Sequence, residues 1–166
     1  MKIDIADAIQ NEGEAFAARY TGPMPPVEYA GISYAFPDGV QVEAEYRFDG
    51  QGVTVTGTFE GATPVECARC LEPLLHPVSV RFTEYYSRQP EEGTYLFSGE
   101  EIDLKQMLGD NVVLSLPMRF LCRQDCKGLC PVCGQDLNKG ACGCKPVVDE
   151  SHPFYGLSKL HDDEEV

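Results

Sequence analysis

Val40-Gln41-Val42-Glu43-Ala44-Glu45-Tyr46-Arg47-Phe48, then Asp49-Gly50-Gln51-Gly52, then Val53-Thr54-Val55-Thr56-Gly57-Thr58-Phe59 is the stretch that decides the fold. Apolar and polar residues alternate with period two in both runs, which puts one set of side chains on the buried face of a strand. Between them stand an aspartate and two glycines, residues that accept a tight turn. The stretch predicts a β-hairpin. Weaker strand signals flank it at 2–5, 15–20, 29–36, 77–86 and 94–97. Many short strands with Gly/Pro turns and no βαβ alternation predict an α+β chain, built mainly as an antiparallel β barrel or sandwich.

The period changes after residue 98. Asp103 is a candidate helix cap with Gln106 as its capping-box partner, and Leu104, Met107, Leu108 and Val112 make one apolar stripe. Pro117 stops that helix. The expected organisation is a β-rich domain over 1–117 with one main helix at about 103–116. A Cys-rich module over 118–146 follows, and then a tail over 147–166. In the tail, Ser151 and Pro153 open a short helix bearing Phe154, Leu157 and Leu160, and Asp162-Asp163-Glu164-Glu165 forms an acidic tip.

The chain holds 166 residues, enough to bury roughly 70% of its unfolded surface without disulfide staples. Lys+Arg number 13 against 27 Asp+Glu, a net charge of −14. No run approaches the roughly 18 to 20 apolar residues of a membrane span, and the first residues lack a signal-peptide pattern. A cytoplasmic location away from membranes is expected. In that reducing compartment, dense cysteines point to metal rather than to disulfides.

The eight cysteines fall in four close pairs: Cys67 and Cys70, Cys122 and Cys126, Cys130 and Cys133, Cys142 and Cys144. Zinc takes four thiolates in a tetrahedron, and each short turn supplies two corners. In Cys130-Pro131-Val132-Cys133-Gly134 the proline stiffens the turn and the glycine lets backbone N–H groups approach the sulfurs, as in a zinc-ribbon or knuckle-like module. The expected first zinc site is Cys130, Cys133, Cys142 and Cys144. A second set, Cys67, Cys70, Cys122 and Cys126, would tie the β-domain to the module. The count is therefore one zinc or two.

Enzyme signatures are missing: no phosphate loop, no dinucleotide fingerprint, no His-Glu-x-x-His and no nucleophile elbow. His76 precedes Pro77 in an expected turn, and His152 and His161 lie in the polar tail. A thiol redox reading of Cys67 and Cys70, with Arg69 as a nearby cation, lacks a thioredoxin context.

Charge is uneven along the chain. Residues 117–146 carry a net +3 against −17 for the remainder. Arg119, Arg123, Lys127, Lys139 and Lys145 are thus the candidate contacts to RNA or another partner, while the negative field elsewhere favours a basic protein, such as a ribosomal protein.

The string Cys126-Lys-Gly-Leu-Cys130-Pro-Val-Cys133-Gly, with Cys122 before it and Cys142-Gly-Cys144 after it, resembles the C-terminal signature of the YceD family of large ribosomal RNA subunit accumulation proteins. The resemblance extends to Cys67-Ala-Arg-Cys70-Leu-Glu-Pro, Glu101-Ile-Asp-Leu104, Leu114-Ser-Leu-Pro117 and Pro153-Phe-Tyr-Gly-Leu157. It implies a non-enzymatic factor for synthesis, processing or stability of 23S ribosomal RNA, acting with ribosomal RNA or a pre-ribosomal particle. The acidic tip after Leu160 departs from the family pattern. The alternative is a cytosolic thiol- or zinc-dependent redox or sensing protein.

Overall fold

The computed structural model describes residues 1–145; the tail helix and acidic tip expected beyond them, with His152 and His161, lie outside the described residues. The elements run β1 (Lys2–Asp4), α1 (Ala6–Gln10), β2 (Ala15–Gly22), β3 (Val27–Tyr29), β4 (Ile32–Tyr34), β5 (Val40–Phe48), β6 (Gly52–Glu66), β7 (Pro73–Ser87), β8 (Tyr95–Leu96), β9 (Glu101–Asp103) and α2 (Lys105–Ser115). The chain is α+β, mostly strands with two helices.

The hairpin that decides the fold is its centre. β5 and β6 pair from Phe48↔Val53 to Val40↔Gly61, and β5 buries Val40, Val42, Ala44, Tyr46 and Phe48 while the residues between them face solvent. At the turn, Asp49 Oδ1 accepts the N–H of Gln51 at 2.9 Å and of Gly52 at 2.8 Å, and Gly50 has φ +90°. Within β6, Gly57 sits where a Cβ would collide with the Glu43 carbonyl oxygen, so a larger residue would push the strands apart.

The main sheet has the order β2-β5-β6-β7-β8 and stays open, which corrects the barrel expectation. β2 and β8 are its two edges. All its pairs are antiparallel except the two-rung parallel pair of β7 with β8. One apolar cluster joins its inner face to α1, α2 and the small β1–β9 sheet: Val42, Val53, Val55, Phe59 and Phe82 pack with Ile5, Ile102, Leu104, Met107, Leu108 and Val112. Met107, Leu108 and Val112 of α2 and Leu104 just before it are all at most 1% exposed.

Two local expectations change. The single strand over 29–36 is instead the hairpin β3–β4, because Ala30 and Gly31 both adopt positive φ, +51° and +78°, and reverse the chain. The helix begins at Lys105 rather than 103. Asp103 pairs with Lys2 in the sheet and caps from outside, its Oδ1 accepting the Lys105 N–H at 2.9 Å; among the described residues Gln106 returns no capping bond. α1 carries no sequence signal of its own beyond Asp4, which accepts the Ala6 N–H.

β6 and β7 outrun their neighbours. β5 reaches only Gly61, yet the β6–β7 ladder continues through Ala62↔Pro77 to Glu66↔Pro73. There the hairpin is a two-stranded arm with two free edges, which is why Pro64, Pro73 and Pro77 are tolerated in it. His76 and Pro77 lie within β7, not in a turn. Phe120 packs edge-on to His76 at 4.9 Å and tilted to Tyr34 at 6.3 Å, bracing the arm against β4 and the segment after α2. Among the described residues no helix is long and apolar enough to cross a membrane.

The Asp49 carboxyl is held below its ordinary value of 3.8, chiefly by the Gly52 N–H. Its contribution is therefore complete above that ordinary value and fades as pH falls through the depressed one. Asp49→Ala, which removes two backbone bonds, should cost about 1 to 2 kcal/mol in urea unfolding at pH 7. The gap to the parent should narrow as the pH falls below 3.8; a pH-independent gap would contradict the role given to the carboxylate.

Candidate metal centres

The arm ends in Cys67-Ala-Arg-Cys70, and its turn repeats that of Cys130-Pro-Val-Cys133. In the first, the Cys67 N–H bonds to the Glu72 carbonyl and the Leu71 N–H to the Cys67 carbonyl, both at 2.9 Å. In the second, Cys130 N–H bonds to Gln135 at 2.8 Å and Gly134 N–H to Cys130 at 2.9 Å. The residue after the second cysteine is left-handed in each, Leu71 at φ +61° and Gly134 at +73°. Leucine adopts this conformation at a cost of about 1 kcal/mol or more. That Leu71 does so while 58% exposed shows that the turn geometry, not packing of its side chain, dictates the conformation.

Two four-cysteine clusters result: Cys67, Cys70, Cys122 and Cys126, and Cys130, Cys133, Cys142 and Cys144. Within each, the sulfurs all lie within 4.8 Å of one another. A tetrahedron with zinc–sulfur bonds of about 2.3 Å has edges of about 3.8 Å. Cys67 and Cys126 sulfurs are 3.8 Å apart, and those of Cys70 and Cys122 3.6 Å. Donor type, number and spacing fit a tetrahedral thiolate-bound metal.

The first cluster is drawn from two places in the chain. Ala68 N–H donates to the Phe120 carbonyl at 2.8 Å, Leu129 N–H to the Arg69 carbonyl at 3.1 Å, and the Arg69 guanidinium to the Cys126 carbonyl at 2.7 Å. Arg69 thus clamps the module's backbone instead of standing free beside a thiolate. Leu74, Leu121 and Leu129 pack around the sulfurs as a small apolar cluster separate from the main core. The second cluster closes a loop folded on the Leu129–Asp136 bridge, with Leu137 N–H returning to Gly128.

Asn138, between the two cysteine pairs of the second set, reaches back to the first cluster. Its Oδ1 accepts from Arg123 at 2.7 Å and from the Lys127 N–H at 2.8 Å, while its Nδ2 donates to the Cys126 sulfur at 3.4 Å. Its cue in the sequence is a turn-forming Asp136-Leu-Asn138 beside the cysteines. Of the five candidate contact cations, Arg123 pairs with Asp125 and Lys139 with Asp136, each at 3.5 Å. Arg119, Lys127 and Lys145 are exposed without an ion pair among the described residues.

Electrostatics explain why a dication suits these cages. The Cys67 thiol is pulled down to about 6 by the N–H of Cys122, helped by those of Arg69 and Cys70. Cys130 is likewise drawn down to about 6 by the N–H groups of Cys133 and Val132, the latter 3.4 Å from its sulfur. Each cluster also holds a thiol that resists ionising. Cys122 is pushed up to about 12 first by burial and then by neighbouring sulfurs, and Cys144 to about 12 first by its bond to Cys133. Backbone dipoles support the first negative charge, and only a cation at the centre supports the fourth.

The family model described as large ribosomal RNA subunit accumulation protein YceD matches residues 55–161, from within β6 through both clusters. An uncharacterised protein of Mycobacterium tuberculosis is 36% identical over 149 residues, covering 82% of this chain and 70% of its own. One from Mycobacterium leprae is 31% identical over 126 residues, covering 69% and 54%. A maize protein named large ribosomal RNA subunit accumulation protein YCED homolog 1, chloroplastic, is 40% identical over 62 residues, covering 36% of this chain and 21% of its own. No solved structure matches.

The full chain should purify from zinc-containing medium with two zinc ions, counted by atomic emission. Because the favoured thiolates lose their advantage as pH falls through about 6, both ions should be held at pH 7.5 and pass to a chromophoric chelator in more acid buffer. Cys126→Ser should speed amide exchange at Ala68 and Leu129 at least tenfold, about 1.4 kcal/mol, while the β5–β6 amides keep their protection. Uniform loss across the sheet would refute the division between core and module.

Proposed function

The chain belongs to the YceD family, and from that premise we propose that it is a non-enzymatic factor supporting synthesis, processing or stability of 23S ribosomal RNA during large-subunit assembly in the cytoplasm. Zinc in the two cysteine clusters holds its docking module. The observation that carries this reading is the family match itself, which takes in every cysteine of both clusters. The maize relative's name points the same way.

The chemistry of the clusters supports a structural role for the metal. When bound, zinc supplies a fixed crosslink and a charge that balances thiolates; four protein ligands leave no position to activate water. Cys67 and Cys70 bring the arm, Cys122 and Cys126 bring the module, and closure sets residues 118–145 at the arm's end.

Charge narrows the partner. A net −14 opposes nonspecific association with a phosphate backbone, and each zinc on four thiolates adds a further −2. Arg119, Lys127 and Lys145 remain as exposed candidate contacts, since Arg123 and Lys139 are already matched by neighbouring carboxylates. The larger acidic surface favours a basic protein of the pre-ribosomal particle as the immediate partner. The chain then acts on ribosomal RNA through that protein.

Depletion of the protein from growing cells should lower 23S relative to 16S ribosomal RNA, read from total RNA, and a C67S/C126S variant should fail to restore the ratio. An unchanged ratio on depletion rejects the proposal. Retention of pre-ribosomal RNA on the tagged protein should persist in an R119A/K127A/K145A variant if a basic protein bridges the contact, and should collapse if these cations bind RNA directly.

A further inference from the structure

The two clusters share donor set, spacing and turn geometry but not surroundings. In the first, Cys67 is 0%, Cys126 2% and Cys70 8% exposed, Cys122 is half-buried, and three leucines pack against them. In the second, only Cys130 is buried; Cys142 is half-buried, and Cys133 and Cys144 face solvent. No apolar cluster surrounds it among the described residues. Its glycines mark the same openness: a Cβ added at Gly134, Gly140 or Gly143 would meet nothing within 4 Å, whereas one at Gly128, beside the first cluster, would stand 3.0 Å from the Arg69 carbonyl oxygen. A reagent in water thus reaches the outer Cys133 and Cys144 sulfurs directly, whereas three of the four inner sulfurs are buried and the fourth, Cys122, is half-buried.

Resting on the reading that both clusters hold zinc, we propose that the outer one is a redox-labile site for hydrogen peroxide, with Cys133 and Cys144 as the reacting pair. One exposed thiolate attacks the peroxide. A sulfur–oxygen bond forms as the oxygen–oxygen bond breaks, and the departing oxygen leaves as water after taking a proton. The second thiolate then displaces the sulfenyl oxygen, which leaves as a second water with another proton, and a disulfide remains. Two thiolates have lost two electrons and the peroxide has gained them. The sulfurs of the set lie within 4.8 Å of one another, close enough for this bond to form with a local shift. With two of four ligands gone the outer zinc departs, and the loop from Leu129 to Asp136 loses its closure. The inner cluster keeps its metal and holds the rest of the module to the arm. Sensitivity to oxidant therefore sits at the outer tip and not at Cys67 and Cys70.

The test uses the full zinc-loaded chain at pH 7.5, its zinc counted before hydrogen peroxide is added. Release is followed with a chromophoric chelator, and thiols are then alkylated and mapped by mass spectrometry. One zinc per chain should leave at least tenfold faster than the other, with a disulfide joining Cys133 to Cys144 and with Cys67, Cys70, Cys122 and Cys126 neither oxidised nor alkylated. C133S/C144S should retain one zinc and lose the fast phase. Simultaneous release of both ions, earlier release from the inner cluster, or no release at all would overturn the proposal while leaving the metal reading intact. Fewer than two zinc ions before peroxide would overturn the metal reading, and this proposal with it.

Discussion

Everything distal to the sheet depends on four sulfurs, two from the end of a hairpin and two from a segment some fifty residues later, converging to the edge length of a thiolate tetrahedron. Thiols alone cannot maintain that convergence as four negative charges. The backbone N–H groups at Cys67 stabilise one, burial at Cys122 opposes another, and a dication reconciles them. The main core does not share this dependence. Its apolar cluster is continuous from β5 to α2 and contains no cysteine. Sheet stability and module position are therefore governed by different forces, hydrophobic burial in one and coordination in the other.

The distribution of charge follows the same division. The outward face of β5 carries Gln41, Glu43, Glu45 and Arg47, and Glu43 and Glu45 meet Arg19 and Arg47 in exposed ion pairs of small energetic weight. Such a face keeps an open sheet soluble without a second layer over it. Around the inner sulfurs the module contributes Leu121 and Leu129 and the arm contributes Leu74, and the module's shape comes from turns: Asn138 and Asp136 fold the backbone onto the cysteines, and Arg69 fastens it to the arm.

Much of this was legible in the sequence where a short-range rule applies. Period-two alternation from Val40 to Phe59 located the central hairpin, and the 3.6 period located the buried stripe of α2, because both patterns are imposed by one flanking apolar surface. Cysteine spacing set out four close pairs, which the structure brings together two by two. What was not legible is set by distance or by a rarely used conformation. The reversal at Ala30-Gly31 needs a non-glycine in the left-handed region, which no residue type announces. The open edge between β2 and β8 is a matter of sheet curvature, which alternation does not encode. Leu71 would have been read as an ordinary turn residue, although it occupies the place that Gly134 holds in the second turn. Resemblance to the family named the clusters' context; that Cys67 and Cys70 meet Cys122 and Cys126 is an expectation from the pairing of cysteines, and the structure brings those four sulfurs within 4.8 Å of one another.

The projecting arm has one more consequence, for behaviour in a crowded cell. Five rungs of ladder with two bare edges would ordinarily invite pairing with a neighbouring chain. Pro64, Pro73 and Pro77 withdraw three N–H donors from those edges, so a stranger's strand finds a broken row of partners there. The same prolines that mark where β5 stops also act as gatekeepers, letting the chain hold its cysteines out on a two-stranded stalk without that stalk seeding intermolecular sheets.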